Sequence, residues 1–301
     1  MNLRGALAYA QLVRLPNVFS ACADVLLASC AGGLISSRLD LVASFLAASG
    51  CFYTAGMAWN DFFDRADDAK TRPQRPIPSK RITPLVAFLL AAVLALVGLL
   101  LIASAVRFDF QRSTFWLAVA LVVLVLSYDA VLKHTWLGPV AMGGCRFLNV
   151  ILPLSIVELP SESALVLYVL PGIVGVYIVG VTWFARTEEF TSDRRGLIVA
   201  AIVMLCAVAG AVVLPAWNGL ATTVSGYPYL LAGFVLFIGQ RVIPAIRSPT
   251  PPNVQAAIKR CIFGLIVLDA TLAVVFVGYP GLLIAFLLVP AILLGRWVYS
   301  T

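Results

Sequence analysis

The feature that most limits what this chain can become is a near-unbroken succession of apolar runs, each about twenty residues long. A bilayer core about 30 Å thick is crossed by about 20 apolar residues in a helix. Within it, only helices and closed barrels satisfy every backbone polar group. Runs of this kind stand near residues 15–35, 41–60, 84–106, 114–133, 137–157, 163–185, 197–216, 229–245, 258–277 and 282–299. They leave no room for a soluble domain. The expectation is an all-α, polytopic transmembrane bundle of nine or ten spans, with residues 1–301 forming a single integral membrane domain. Only 12% of the residues are charged, against about 25% in soluble domains.

The net charge of +7 would suggest nucleic acid, but its distribution points to membrane topology. Alternating spans put Arg65, Lys70, Arg72, Arg75, Lys80, Arg81, Lys133, Arg186, Arg194, Arg195, Arg247 and most other basic residues on one side. Arg38, Arg107 and Arg112 fall on the other. Basic loops stay cytoplasmic, so residues 61–83, 133–137, 186–196 and 246–257 are expected on the cytoplasmic face of a cell membrane such as the bacterial inner membrane. Membrane lipid is an expected partner and nucleic acid is not. The six cysteines are scattered through apolar segments and His134 is the only histidine, so zinc spacing is absent. Leu27-Ala28-Ser29-Cys30 has the look of a lipoprotein cleavage box. Asn17 and Asp24 interrupt the apolar run before it, and the first span is expected to be retained.

The most informative local pattern is Asn60-Asp61-Phe62-Phe63-Asp64-Arg65-Ala66-Asp67-Asp68. On a helix, Asp61, Asp64 and Asp68 stand at i, i+3 and i+7 and share a face, with Asn60 one turn before Asp64. Carboxylates so close repel unless a cation neutralises them. Hard oxygen donors at a helix end suit Mg²⁺, which takes one or two carboxylates and fills its shell with water and phosphate oxygens. The stretch Lys70 to Arg81 follows, basic and broken by three prolines. A stiff arginine loop beside metal-binding carboxylates can grip a diphosphate from two sides.

Asn60-Asp61-x-x-Asp64-x-x-x-Asp68 followed by Arg75-Pro76-Ile77-Pro78-Ser79 resembles the first signature of the UbiA superfamily of intramembrane prenyltransferases. Arg14-x-Pro16-Asn17 is similar to that family's opening. Tyr128, Lys133, Gly138-Pro139 and Arg146-Phe147-Leu148-Asn149 are similar to its middle region. The resemblance implies Mg²⁺-dependent transfer of a prenyl group from an isoprenoid diphosphate to a small acceptor, expected to be aromatic or a quinone precursor. It implies Asp61, Asp64 and Asp68 on the metal and Lys133 in catalysis. Arg14, Asn17, Asn60, Arg72, Arg75, Tyr128, Arg146, Asn149 and Arg194 are the implied substrate-binding positions.

The second acidic cluster departs from the family pattern. Where the family has two aspartates and an arginine after the sixth span, this chain has Glu189, Asp193 and Arg194. Glu189 and Asp193 are the candidate ligands of a second Mg²⁺. An atypical acceptor, or a divergent branch such as the UbiA-like group called EboC, would account for the altered first position. Polar residues inside spans mark function by default, and Asn17, Asp24, Arg146, Asn149 and Asp269 qualify. Arg14 or Arg146 could hold an acceptor carboxylate, or Asp24 could pair with an arginine of a neighbouring span. Two further readings stand beside the enzyme. A secondary transporter would place its polar site near the midplane, as Asp24, Arg146 and Asp269 are placed. A catalytically silent UbiA-like protein would account for the altered second cluster.

Overall fold

The computed structural model describes residues 3–109, 113–157, 165–187, 192–217 and 224–299. Each of the ten apolar runs is helical there. Seven helices are long and apolar enough to cross a membrane, and an eighth span is a bent pair, Gly5–Leu12 with Leu15–Ala31. The other two, Gly138–Leu154 and Tyr168–Phe184, are apolar but shorter. The chain is an integral membrane protein.

In chain order the helices are α1 (Leu3–Leu12), α2 (Val18–Ala31), α3 (Leu34–Ser37), α4 (Leu39–Phe63), α5 (Arg65–Thr71), α6 (Pro84–Ala105), α7 (Ser113–Ala130), α8 (Gly138–Leu154), α9 (Val166–Phe184), α10 (Arg194–Trp217), α11 (Tyr227–Arg247), α12 (Pro251–Val277) and α13 (Leu288–Tyr299). The long helices form a closed ring in which α4 packs on α6 and α7, α7 on α8, α8 on α9, α9 on α10, α10 on α11, and α11 on α12. Helix α2 closes the ring by touching α4, α8 and α12.

Helix α6 shows how packing is specified when both faces are apolar. Ala87, Ala91, Ala95 and Gly98 recur every three or four residues and are turned inward, against α4. Leu85, Leu89, Val93, Leu96 and Leu100 are all more than half exposed on the opposite side. In lipid, polarity cannot choose the buried face, so size does: small residues let backbones approach and large ones meet the acyl chains.

The first span, expected near 15–35, is reached through a bend. The chain bends by 44° between α1 and α2, and Arg14 at the bend has φ 44°, in the left-handed region. Pro16 follows, biasing its neighbour away from a continuous helix. The last run likewise opens as a 3-10 stretch, Tyr279–Leu287, before α13 begins.

Candidate active site

Three contacts bring the basic loops to one end of the bundle. Lys133 Nζ lies 2.6 Å from Asp64 Oδ1, Arg186 Nη2 donates to the Thr135 carbonyl at 3.1 Å, and the Ser192 N–H donates to the Pro249 carbonyl at 3.2 Å. The loops around 64, 133, 186 and 249 are therefore neighbours, as the charge distribution requires.

Helix α4 delivers Asn60 and Asp61 to this end and stops at Phe63. Asp64 sits between α4 and α5, so the expected continuous face through Asp61, Asp64 and Asp68 is interrupted. The three carboxylates meet different cations. Arg75 Nη1 lies 3.3 Å from Asp61 Oδ1 and 2.7 Å from Asp68 Oδ2, clamping both. Arg14 Nη2 reaches Asp61 Oδ1 at 3.2 Å and Asn60 Oδ1 at 3.0 Å. Asp64 takes Lys133 instead. Asp61 and Asp68 are buried and Asp64 partly so, and charges in such places need partners.

The loop after α5 is built to hold Arg75. Ile77 and Ile82 are buried beneath it, and the Pro76 carbonyl accepts from the N–H groups of Arg81 and Ile82 at 3.0 and 3.1 Å. The Arg81 side chain braces the loop through Ser79 Oγ, the Gln74 carbonyl and Gln11 Oε1. Arg72 is half-buried at the end of α5. Lys133 lies on a 3-10 turn, Leu132–His134, pressed against the start of α8. A Cβ at Gly138 would come within 3.1 Å of the Leu132 and Lys133 carbonyl oxygens, so glycine permits this close approach.

Do these residues suit Mg²⁺? Arg75 Nη1 stands between two carboxylate oxygens that converge on a single positive centre, the hard-donor set that magnesium uses. Asp61 and Asp68 supply oxygen donors of the kind magnesium takes, here occupied by Arg75; Asp64 is one turn away on Lys133. No group of three or more His, Cys, Asp or Glu side chains converges on one point among the described residues.

Below the carboxylates lies a narrow cavity of about 70 Å³ between α2, α4, α7 and α8. Phe52, Met57, Leu121, Val125 and Met142 make its walls apolar, while Tyr128 and Asp129 stand on the α7 side. Asp129 was not among the expected site residues. It is 2% exposed, and its Oδ1 accepts from Asn60 Nδ2 at 3.2 Å. Asn60 thus joins the carboxylate cluster to the cavity, its amide oxygen on Arg14 and its nitrogen on Asp129. Asp129 lies within the run near 114–133, so the rule that flagged Asp24 would have flagged it too.

Arg146 and Asn149 also line the cavity, but their polar atoms are engaged. Arg146 donates to Asp24 Oδ2 and Ser20 Oγ, both at 2.9 Å, and lies over the Tyr53 ring. Asn149 donates to Asp24 Oδ2 at 2.9 Å and to the Ala21 carbonyl, and accepts from Ser49 Oγ at 2.7 Å. Asp24 is fully buried, as is Asp269 of α12 behind it. The pairing of Asp24 with an arginine from another span is realised. Asn17 lies at the start of α2, where its carbonyl accepts from Ser20 Oγ at 2.8 Å.

Asp193 and Arg194 are exposed at the start of α10, where Asp193 Oδ2 accepts from the Gly196 N–H at 3.0 Å. That is a helix cap. Glu189 lies outside the described residues.

A bundle of apolar helices thus carries carboxylates and arginines at one end, beside a mainly apolar cavity. Residues 18–258 match the UbiA prenyltransferase family, and the chain belongs to it. Digeranylgeranylglyceryl phosphate synthase of Ignicoccus hospitalis is 29% identical over 194 residues, 63% of this chain and 61% of that one. The protein of the same name from Methanococcus maripaludis strain C7 is 36% identical over 97 residues, 31% of this chain and 34% of its own length. The Methanothrix thermoacetophila protein is 50% identical over 46 residues, 15% of this chain and 17% of its own. The chain thus spans less than two thirds of the length of these relatives. A solved structure from work on digeranylgeranylglyceryl phosphate synthase in membranes superposes with a TM-score of 0.66, covering 91% of this chain and 99% of that one at 16% identity. The fold is shared.

Proposed function

We propose that this protein transfers a prenyl group from an isoprenoid diphosphate to an acceptor held in the membrane, with Mg²⁺ as cofactor and the active face cytoplasmic. The observation that carries the proposal is the set of charged side chains over the apolar cavity. Asp61 and Asp68, with Asp64 beside them, would hold Mg²⁺. Bound there, the metal would neutralise charge gathering on the departing diphosphate. When it takes the carboxylates, Arg14, Arg75 and Lys133 are released from them and can turn to the diphosphate oxygens, where arginine's planar fork fits best. The apolar walls at Phe52, Met57, Leu121, Val125 and Met142 receive the prenyl tail and keep water from the allylic centre.

The aromatic or quinone-precursor acceptor expected from sequence gives way here to a glycerol phosphate ether, the product class named for the relatives. Arg146 supports this choice, because its guanidinium is already committed to Asp24 and Ser20 rather than open to an aromatic carboxylate. The test is incubation of the purified protein with radiolabelled geranylgeranyl diphosphate, with and without Mg²⁺. Acceptors would be a geranylgeranyl glycerol phosphate, aromatic acids and quinone precursors. Labelled ether lipid that requires Mg²⁺ supports the proposal; label on an aromatic acid alone overturns the acceptor, and no transfer to any acceptor overturns the activity.

A further inference from the structure

Transfer of a prenyl group to an acceptor hydroxyl leaves a proton to be removed, and none of the residues assigned above removes it. Asp61, Asp64 and Asp68 are tied to cations at the diphosphate end. Asp24 and Asp269 lie behind Arg146 and outside the cavity lining. Asp129 alone among the described carboxylates lines the cavity.

Its setting is specific. Asn60 fixes one oxygen, Oδ1, by a hydrogen bond at 3.2 Å, and Asn60 is itself oriented by Arg14 at 3.0 Å. The other oxygen, Oδ2, faces Gly56 on α4. A Cβ at Gly56 would stand 3.8 Å from Asp129 Oδ2 and only 2.8 Å from Val125 Cγ1, so glycine is what lets the α4 backbone come this close to α7 beside the carboxylate. Gly56 lines the same cavity. Asp129 is therefore a buried carboxylate at the boundary between the diphosphate cluster and the tail cavity, where the allylic C1 carbon must lie.

We infer that Asp129 is the general base of the transfer, accepting the proton of the acceptor hydroxyl through Oδ2. The inference rests on the prenyl-transfer reading above. The bond between the prenyl C1 and the diphosphate oxygen breaks, its electron pair leaving on diphosphate. The acceptor oxygen forms the new bond to C1, and its proton passes to Asp129. Asn60 holds the carboxylate in place and is a positioning residue.

Such a base acts only on the acceptor, so its loss should separate the two halves of the reaction. The test uses the full-length protein in lipid nanodiscs with Mg²⁺, geranylgeranyl diphosphate carrying ¹⁸O at the bridging position, and a geranylgeranyl glycerol phosphate. Scrambling of the bridging ¹⁸O without acceptor reports cleavage of the C1–O bond; ether formation reports the whole reaction. Asp129→Asn keeps the shape and an oxygen for Asn60. It should lower ether formation about 10²- to 10⁴-fold, the usual worth of a general base, with scrambling within a few-fold of wild type. Asp129→Glu should recover part of the loss. Ether formation within about 10-fold of wild type in folded Asp129→Asn would overturn the assignment. So would parallel loss of scrambling and transfer, which would make Asp129 part of the diphosphate site. Wild-type protein that neither scrambles nor transfers would instead refute the activity on which the inference rests.

Discussion

Lys133 Nζ and Asp64 Oδ1 are 2.6 Å apart, joining the turn after α7 to the junction of α4 and α5. The contact is an ion pair rather than an aligned hydrogen bond, because Nζ has no partner at hydrogen-bonding angles among the described residues. Asp64→Asn is expected to reduce prenyl transfer by at least about 10²-fold, the loss seen when one electrostatic stabiliser is removed. Insertion and thermal stability in detergent should stay near wild type. Near-normal turnover would remove Asp64 from the mechanism.

Arg75 clamps Asp61 and Asp68 together, and its geometry should matter as much as its charge. Arg75→Lys keeps the cation but not the planar fork. The expected result is a KM for the prenyl diphosphate raised about 10-fold or more, a loss of about 1.4 kcal/mol of binding. Steady-state kinetics at saturating acceptor would measure it, and an unchanged KM would place Arg75 outside substrate binding.

Asp193 caps α10, which predicts a contrast between two substitutions. Asparagine can serve the same cap and alanine cannot. Asp193→Ala should be less stable than wild type by about 1 kcal/mol, read as a lower Tm in detergent, while Asp193→Asn should match it. If the residue also holds a second metal, Asp193→Asn will need more Mg²⁺ for full rate. A Mg²⁺ titration unchanged in Asp193→Asn confines the residue to capping.

Asp24 and Arg146 form a buried ion pair, with side chains 0% and 12% exposed. Removing one member leaves the other charged and unpaired, a loss of about 3–5 kcal/mol. Arg146→Met should therefore unfold earlier in a denaturing-detergent titration, and Asp24→Asn/Arg146→Met should recover part of the difference. Additive losses in the double variant would deny the coupling.

The apolar runs carried most of the fold, and the Asn60–Asp68 pattern marked the end of the bundle where the candidate site lies, because both are local. Any twenty-residue apolar run must be helical in lipid, and a row of carboxylates at a span end declares itself. What the sequence could not supply was partnership. Nothing local says that Asp64 turns to Lys133 while Asp61 and Asp68 share Arg75, since this depends on the break at Asp64 and on the loop anchored by Ile77 and Ile82. Arg14 was legible as a site residue, but its left-handed backbone was not. Asp129 lies inside the run near 114–133, as Asp24 lies inside its own, so the rule for polar residues within spans reaches both; its bond to Asn60 depends on how α4 and α7 meet and has no local signal.

The pair between Asp24 and Arg146 also constrains how the protein is made. Its members lie 122 residues apart in the chain, so α2 leaves the ribosome well before α8 exists. An unpaired Asp or Arg at a helix centre costs about 2.5–3.5 kcal/mol at insertion, which disfavours early release of α2 into lipid. The newborn helix should be retained beside the insertion machinery until α4, α6, α7 and α8 have been threaded. Only then can α12, with Asp269, dock against it. Birth order and assembly order would then differ, with the first span among the last to leave its escort.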